Sequence, residues 1–347
     1  MLNQLLPRPP AFKGLRPSYP AYTKVLGPEF AEFAEGLEDG VLFGPAEPNC
    51  GDLRYFLHRG ESGISTFLKL VPHEHFARQC AADDFARWVS DQGVNACVRR
   101  PSYPKFTRSG NVLFAYPYLP ARFATTSVSD LRNLAISLAA MHRALALLPD
   151  TASIQSDSAK RMDLLERRIK HIDQQSSSPG SYTQRLKAIF HVEDGLSALI
   201  NGAELHQATH GDLVFGNILF PIEEGMPTIL DFEDTQISWM PPGLDLALAI
   251  ERFILLPVVD DNEALRLGRE FLDAYSKTSP EAGEVARFPL HDYLRFLSLR
   301  SLATLAELEA IGIPVTIGEW EKFFWLYAHT FARARMLREL IPTGRNC

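Results

Sequence analysis

The sequence predicts an α+β fold of two lobes: a small N-terminal lobe built on an antiparallel sheet with one helix, and a larger, mainly helical C-terminal lobe. The first observation is that short β-prone runs, separated by turns containing Gly and Pro, occupy residues 40–70, and that a further run follows at residues 111–115. The second is that apolar residues beyond Pro120 recur at about the 3.6-residue spacing of an α-helix. We therefore expect the lobes to cover residues 1–118 and 119–347.

The N-terminal lobe begins with a proline-rich arm over residues 1–27. We expect this arm to be irregular, because proline lacks the backbone N–H that helices and sheets use. A short helix is predicted next, over residues 29–37. Runs rich in β-branched and aromatic residues then predict strands, and apolar spacing predicts one longer helix. The strands are predicted at residues 41–43, 54–57, 65–70 and 111–115, and the helix at 74–92.

The C-terminal lobe is predicted to be helical apart from one hairpin. Two short apolar strands, at residues 218–220 and 228–230, flank the turn Glu223-Glu224-Gly225. The helices are predicted at residues 130–147, 158–174, 184–202, 244–255, 263–276, 291–311 and 317–340.

Composition narrows the class of protein. The net charge of −7 argues against a nucleic-acid partner, since phosphate backbones attract a basic surface. The four cysteines show no C-x-x-C spacing, as expected of free thiols in a reducing compartment. The N-terminus lacks the pattern of a secretion signal, and the most apolar stretch, residues 244–259, is too short and too charged to span a bilayer. We expect a cytoplasmic protein without a membrane partner.

The chemistry is concentrated in the run from His210 to Asn217 and in the later segment Leu230-Asp231-Phe232-Glu233. Here Asp212 is followed by an amide five residues on, and then by a second carboxylate at Asp231. Phosphoryl transfer needs a carboxylate that orients the attacking hydroxyl and takes its proton. It also needs oxygen ligands for the Mg²⁺ ion that bridges the phosphates, and an amide and a carboxylate can supply them.

The pattern H-G-D-x-x-x-x-N followed by L-D-F-E resembles the aminoglycoside phosphotransferase and choline kinase superfamily, which has the protein-kinase-like fold. Weaker matches to this superfamily run in the right order from about residue 41 to residue 276. They include F-L-K-L at residues 67–70, the helix that ends in L-A-x-x-H at His142, D-L-A from Asp245 and F-L-x-x-Y at residues 271–275.

The resemblance implies a small-molecule kinase that uses ATP as phosphoryl donor and Mg²⁺ as cofactor. It makes Asp212 the catalytic base, Asn217 and Asp231 the Mg²⁺ ligands, and Lys69 the contact to the α- and β-phosphates. It gives two further residues a supporting role near the catalytic loop, His210 and Asp245. The remaining nucleotide contacts that it implies are Asn49 in the covering loop and the hinge residues Tyr116, Tyr118 and Leu119.

The sequence departs from the family in the acid that pairs with the lysine. The family places a glutamate in the first long helix, where this chain has Ala82. On a helical projection Asp84 flanks the apolar face of the helix and Asp83 points away from it. We therefore predict that Asp84 pairs with Lys69, with Glu74 as the next candidate.

Two functions from different classes remain open. The first is an active kinase, and the second is a catalytically inactive nucleotide-binding pseudokinase. The sequence favours the first, because Lys69, Asp212, Asn217 and Asp231 are all present. A protein kinase is set aside because the chain has H-G-D in place of H-R-D, D-F-E in place of D-F-G, and no later A-P-E.

The acceptor is predicted from the carboxylates near the central motif. If Glu233, Asp234 and Glu251 form a rim, they give the pocket a negative potential that favours a cationic amino alcohol or amino sugar. A neutral sugar or a homoserine-like metabolite is the nearest rival. Alternatively, these acids simply face solvent.

Overall fold

The structure is a computed structural model that describes residues 22–24, 40–45, 54–61, 63, 65–107, 109–174, 181–191, 205–278 and 288–341. The helix predicted at residues 29–37, the nucleotide contact Asn49 and most of the proline-rich arm lie outside the described residues. The described chain packs into two compact units. We call residues 22–123 and 216–233 the sheet unit, and residues 124–215 and 234–341 the helical unit, in each case as far as they are described.

The sheet unit is built on an antiparallel sheet with the strand order β1-β2-β3-β4-β6-β5. One longer helix, α1 (Phe76–Asp91), follows strand β4. All four predicted strands are confirmed and are slightly longer than predicted. The strands of the sheet are β1 (Tyr22–Lys24), β2 (Gly40–Pro45), β3 (Arg54–Gly60), β4 (Ser65–Val71), β5 (Lys105–Phe106) and β6 (Val112–Pro117).

Successive side chains of strand β4 point to opposite faces of the sheet, and the two faces have different surroundings. Leu68 and Leu70 pack on one face with residues of β2, β3 and β6. Lys69 and Val71 lie on the other face, where the ring of Phe76 at the start of α1 lies tilted against that of Phe114 in β6, with ring centroids 6.2 Å apart. The sheet therefore places the ammonium group of Lys69 on the face that helix α1 covers.

The predicted hairpin is confirmed as β9 (Ile218–Pro221) and β10 (Thr228–Ile229), which pair in an antiparallel register. It was predicted as part of the helical lobe, but its contacts group it with the sheet unit. Ile229 forms a bridge with Ala96, and β9 pairs with the short strand β7 (Ala121–Arg122). The proposed lobe boundary near residue 118 stays a prediction.

The helical unit confirms the predicted helices and adjusts their ends. Its remaining strands, β8 (Gln207–Ala208) and β11 (Trp239–Met240), pair with each other. The helix predicted at 184–202 is described only to residue 191. The helices are α2 (Val128–Ala146), α3 (Ala152–Gln174), α4 (Tyr182–Phe190), α5 (Gly243–Ile250), α6 (Asp261–Thr278), α7 (Leu290–Ala310), α8 (Ile317–Ala332) and α9 (Ala334–Leu340).

Two predicted helices are interrupted. The helix predicted at 244–255 changes after α5 into a π-helical turn, Glu251–Leu255. The helix predicted at 317–340 breaks at Arg333, which separates α8 from α9. The Arg333 guanidinium donates to the Leu255 and Val258 carbonyls at 2.8 and 3.0 Å and pairs with Asp261 at 2.7 Å. The break therefore supplies donors for carbonyls that a helix end leaves without partners.

The α+β fold class is confirmed by this sheet and these helices. Within the described ranges, no helix combines the length and the hydropathy that a membrane crossing requires.

Candidate active site

Lys69 is held in the middle of the sheet unit, between strands β3 and β6. Its side chain is buried, with 4% of the residue exposed. The ammonium group donates to the Glu233 carboxylate and lies 3.8 Å from Oδ1 of Asp231. Burial lowers the pKa of Lys69, but the charges of Asp231 and Glu233 outweigh it and raise the pKa above its usual value. The ammonium is therefore charged at neutral pH, and Lys69 is not a solvated edge lysine.

Asp231 lies at the end of the hairpin in an uncommon backbone conformation. Its φ angle is 60°, in the left-handed region that costs an L-residue about 1–2 kcal/mol. Such strain persists where the surrounding structure enforces it, and it is typical of functional sites. About a third of the Asp231 side chain, 38%, is exposed. A carboxylate that is fixed at its backbone and reaches solvent is suited to hold a cation.

Asn217 is brought next to Asp231 by the hairpin register. The Asn217 carbonyl accepts a hydrogen bond of 2.9 Å from the N–H of Leu230, which continues the pairing of Ile218 with Ile229. Amide and carboxylate oxygens are hard ligands of the kind that Mg²⁺ takes. No group of three or more His, Cys, Asp or Glu side chains in the described ranges could hold a metal ion.

The predicted partner of Lys69 is wrong. Asp84 is exposed on helix α1, and Asp83 is the acid that faces the interior. The Asp83 carboxylate accepts hydrogen bonds from the Tyr116 hydroxyl at 2.8 Å and pairs with Nε of Arg99 at 2.7 Å. The projection failed because it counted apolar residues only, whereas the buried face of α1 also carries Gln79 and Asp83.

Glu233 takes the place that the family gives to a helix glutamate. Its Oε2 also lies 3.7 Å from Nε of Arg78 on helix α1. Glu233 therefore contacts both Lys69 and a cationic residue of helix α1, whereas in the family the helix itself carries the carboxylate. Sequence reasoning placed Glu233 on a substrate rim. Its position two residues after Asp231 was the available signal for its contact with Lys69.

The predicted hinge residues follow strand β6. The Tyr116 side chain is buried, and its hydroxyl accepts from Gln79 at 2.9 Å while donating to Asp83. Burial, followed by the charge of Asp83, raises the pKa of Tyr116 well above its usual value. Tyr118 is exposed and Leu119 half-buried. The Tyr116 ring is thus structural, and the contact of residues 116–119 with adenine stays a prediction.

In the helical unit, Asp245 of α5 anchors the loop that precedes Asp212. Its two carboxylate oxygens accept the backbone N–H groups of His210 at 2.8 Å and Gly211 at 2.9 Å. The next N–H, that of Asp212, donates to Nδ1 of His210 at 3.3 Å. Because Asp245 is buried at 2% exposure, each of these bonds replaces water that the groups have lost. The catalytic loop is therefore fixed by its backbone.

His142 completes this anchor from helix α2. Its Nε2 lies 3.1 Å from Asp245 and its Nδ1 lies 2.8 Å from the Tyr275 hydroxyl. Because Asp245 only accepts when ionised, we assign the ring proton to Nε2, and Nδ1 accepts from Tyr275. Burial raises the pKa of Asp245, but His142, His210 and the Gly211 N–H outweigh it, so the pKa lies below its usual value. The predicted supporting role of His210 and Asp245 agrees with these contacts.

Gly211→Ala is expected to disrupt this loop. The φ angle of Gly211 is +82°, which L-residues rarely adopt. A Cβ atom there would lie 2.9 Å from Oγ of Ser238 and 3.1 Å from Cβ of Asp234. We expect a loss of roughly 1–3 kcal/mol of stability, measured by denaturant unfolding, together with reduced turnover.

Gly216→Ala is the matched control for Gly211→Ala. It lies five residues further along the same segment, and a Cβ at Gly216 would meet open space. We expect this variant to stay within about 0.5 kcal/mol of wild type. Equal stability of the two variants would contradict the account of the loop.

Asp212 follows Gly211 and is half-buried. Two arginines of the same unit lie near its loop. Nη2 of Arg161 pairs with Oδ2 of Asp234 at 3.1 Å, and Asp234 lies directly against Gly211. Arg300 of α7 experiences the charges of Asp212, Asp234 and Asp245. Asp212, the carboxylate expected to take a proton, thus has both cationic and anionic side chains near it.

None of the three predicted rim acids is left to create an acidic pocket. Glu233 contacts Lys69, and Asp234 pairs with Arg161. Glu251 is not on a rim at all: 3% of it is exposed, and Nη2 of Arg252 lies 3.5 Å away. Burial raises the pKa of Glu251, and Arg252 opposes the increase. The prediction of Glu251 as a rim residue is wrong because the π-helical turn points this side chain inward.

Comparisons with solved structures show the same fold in several kinases. Choline kinase LicA from Streptococcus pneumoniae is 17% identical with a TM-score of 0.54, over 87% of this chain and 97% of the other. Macrolide 2′-phosphotransferase MphH from Brachybacterium faecium is 16% identical with a TM-score of 0.51, over 86% and 96%. Plasmodium vivax ethanolamine kinase is 13% identical with a TM-score of 0.50, over 83% and 81%. These similarities confirm the protein-kinase-like fold.

Comparison with curated proteins finds no match. The sequence profile described as "Phosphotransferase enzyme family" matches residues 46–285, which is more than half of the chain. This range contains the H-G-D-x-x-x-x-N run and the L-D-F-E segment. It confirms the resemblance drawn from those motifs and the prediction of a phosphotransferase enzyme. The chain belongs to the phosphotransferase enzyme family.

Proposed function

We propose that this protein transfers the γ-phosphate of ATP, in the presence of Mg²⁺, to a hydroxyl group of a small molecule. The observation that carries the proposal is the arrangement around Lys69. A buried ammonium beside Asp231, whose backbone is strained, matches the parts that bind phosphates and metal in kinases. The anchored loop before Asp212 supports the same reaction.

Each of the proposed site residues has a separate role in the reaction. Asp212 accepts the proton of the acceptor hydroxyl while the hydroxyl oxygen forms a bond to the γ-phosphorus. The bond between the γ-phosphorus and the bridging oxygen breaks, and ADP leaves. Lys69 offsets negative charge on the phosphates. Asp245 holds the loop so that Asp212 does not reorganise during the reaction.

Asn217 and Asp231 are the residues that would hold Mg²⁺. When bound, the ion neutralises phosphate charge and so supplies Lewis-acid assistance. The fit rests on the chemistry of the two side chains and on the backbone bond between Asn217 and Leu230. Nζ of Lys69 lies 3.8 Å from Oδ1 of Asp231, so this carboxylate already lies beside a cationic group.

The structure removes the basis on which a cationic acceptor was predicted. A cationic amino alcohol or amino sugar was predicted because Glu233, Asp234 and Glu251 were expected to be uncompensated. Each of these acids has a cationic neighbour in the structure, namely Lys69, Arg161 and Arg252 respectively. These three acids therefore give no support for a cationic acceptor.

Asp231→Ala is expected to weaken the binding of Mg-ATP as well as turnover. The variant removes a metal ligand and also one of the two carboxylates near the buried Lys69. We expect an increase of at least about tenfold in the Kd of ATP with Mg²⁺, measured by calorimetry, and little change in the Kd measured with EDTA.

Asp84→Asn is the matched control, since Asp84 is an exposed carboxylate in the same unit. It is expected to bind Mg-ATP like wild type. If Asp231→Ala bound Mg-ATP normally, the assignment of the metal ligand would be lost. If wild type bound Mg-ATP but never consumed it with any acceptor, the pseudokinase alternative would replace the kinase.

A further inference from the structure

Two arginines lie at equivalent positions on two packed helices of the helical unit. Arg168 of α3 pairs with Glu307 of α7 and donates to Oγ1 of Thr304 at 3.2 Å. Arg161 precedes Arg168 by seven residues, and Arg300 precedes Glu307 by seven. Seven residues make about two helical turns. Arg161 therefore lies on the same face of α3 as Arg168, and Arg300 on the same face of α7 as Glu307.

Both helices begin near residues 239–243: Oγ of Ser158 in α3 donates to the Trp239 carbonyl, and a Cβ at Gly243 would lie 2.7 Å from Phe288 and 2.9 Å from Tyr293 at the start of α7. The two helices therefore run in the same direction, and the contact between them brings Arg161 and Arg300 to the same side.

The charges around Arg300 agree with this register. Burial lowers the pKa of Arg300 to about 10, and Arg161 adds to the decrease, while Asp234, Asp212 and Asp245 oppose it. At this pKa, Arg300 remains charged at neutral pH. Arg300 is therefore close enough to Arg161 and to Asp212 for their charges to act on each other.

The acids near this pair are already engaged. Asp234 pairs with Arg161, and Asp245 accepts from His142 and two backbone N–H groups. Asp212 is assigned to the proton of the acceptor hydroxyl. Among the described residues, the Arg300 guanidinium forms no ion pair, and Nη1 of Arg161 is buried without a hydrogen-bond partner. These guanidinium groups therefore keep N–H donors that no described carboxylate uses, and an oxyanion is the group best able to accept from them.

We propose that Arg161 and Arg300 bind an oxyanion of the acceptor, so that the acceptor is a hydroxylated carboxylate or phosphate and not a simple amino alcohol. The inference rests on the proposed function, because it takes Asp212 as the group that meets the acceptor hydroxyl. A guanidinium presents N–H donors in a planar fork that matches carboxylate and phosphate oxygens. The groups nearest the base are those that an acceptor contacts while its hydroxyl is oriented.

The test compares related acceptors with and without an anionic group, in an assay of ADP release at saturating Mg-ATP. The pairs are serine and ethanolamine, carnitine and choline, glycerate and glycerol, and glycerol 3-phosphate and glycerol. We expect the anionic member of at least one pair to have a kcat/KM about 10- to 100-fold higher, the effect of a charge-assisted hydrogen bond. The last two pairs distinguish a carboxylate from a phosphate.

Arg300→Gln is expected to abolish this preference while leaving the KM for ATP unchanged. Arg300→Lys keeps the charge but loses the planar fork, and is expected to retain part of the preference. Arg266→Gln is the control, since Arg266 is an exposed arginine of α6 that pairs with Glu263, and it should keep the full preference. A uniform loss with all acceptors, together with a higher KM for ATP in Arg300→Gln, would show that Arg300 acts on the nucleotide and would overturn the proposal.

A binding measurement covers the case in which no acceptor of the panel is phosphorylated. Glycerate, but not glycerol, is expected to raise the Tm of wild type at constant ionic strength, and Arg300→Gln should lose this increase. Absence of an anion-specific increase in wild type would overturn the inference. Turnover of choline or ethanolamine at the best rate would overturn it too, while leaving the kinase assignment intact. Failure to bind Mg-ATP would instead refute the proposed function.

Discussion

Asp212→Asn is expected to lower turnover by roughly 10²–10⁴-fold, the usual contribution of a positioned general base. The substitution keeps the shape of the side chain but removes its ability to accept the hydroxyl proton. The loop should keep its conformation, because Asp245 holds it through the backbone N–H groups of His210 and Gly211. Steady-state kinetics at saturating acceptor and calorimetric titration with Mg-ATP would measure the two effects.

The expected signature is a large decrease in kcat with a nearly unchanged Kd for ATP. Asp84→Asn again serves as the control, because it removes one exposed carboxylate and should change neither quantity. Turnover of Asp212→Asn at the wild-type rate would remove Asp212 from the role of base. A parallel loss of ATP binding would point to a structural role instead.

Asp245→Ala is expected to destabilise the protein by about 3–5 kcal/mol, as breaking a buried charged network usually does. The variant would leave two backbone N–H groups and the Nε2 of His142 buried without an acceptor. We also expect activity to fall, because the loop before Asp212 loses its anchor. Denaturant unfolding measures the first effect. Asp273→Asn, an exposed acid paired with Lys277 in the same unit, should cost less than about 0.5 kcal/mol.

The pKa of Asp245 adds a dependence on pH. Because its pKa in the folded protein is below the usual value, its contribution to stability is present above the unfolded pKa of about 3.9. The contribution is lost as the pH falls through the lower, folded pKa. Asp245→Asn should therefore lose stability at neutral pH and be less sensitive to acid than wild type. A constant difference between the two proteins from pH 7 to pH 3 would contradict this.

The sequence predicted most elements of the fold because their signals are local. Strand β4 alternates between two faces and helix α2 has regular apolar spacing, so both were located to within a few residues. The run around Asp212 was informative for a similar reason, since its residues are close together in the chain. The helix interruptions depend on tertiary contacts and could not be predicted locally. The helix predicted at residues 317–340 breaks at Arg333, whose guanidinium donates to the carbonyls of Leu255 and Val258.

The partners of the charged residues could not be predicted in the same way. The Lys69 ammonium contacts Glu233, which is 164 residues away in the chain, and no local pattern encodes that distance. Asp83 and Asp84 are neighbours in sequence, yet only Asp83 is buried, since Arg99 and Tyr116 compensate it. Whether a carboxylate is available to a ligand depends on which cation tertiary contacts bring to it. That is why Glu251 and Asp234 were misjudged as an acidic rim.

The grouping of residues 216–233 with the sheet also constrains the order in which the protein can fold during synthesis. When strands β1 to β6 have left the ribosome, Asp231 and Glu233 have not yet been made, so the Lys69 ammonium lacks both carboxylates. Burying that charge alone would be costly, and we expect the nascent sheet to stay open around it. The sheet unit can be completed only after residues 124–215 have been translated. The sheet unit thus stays incomplete while the first part of the helical unit is translated.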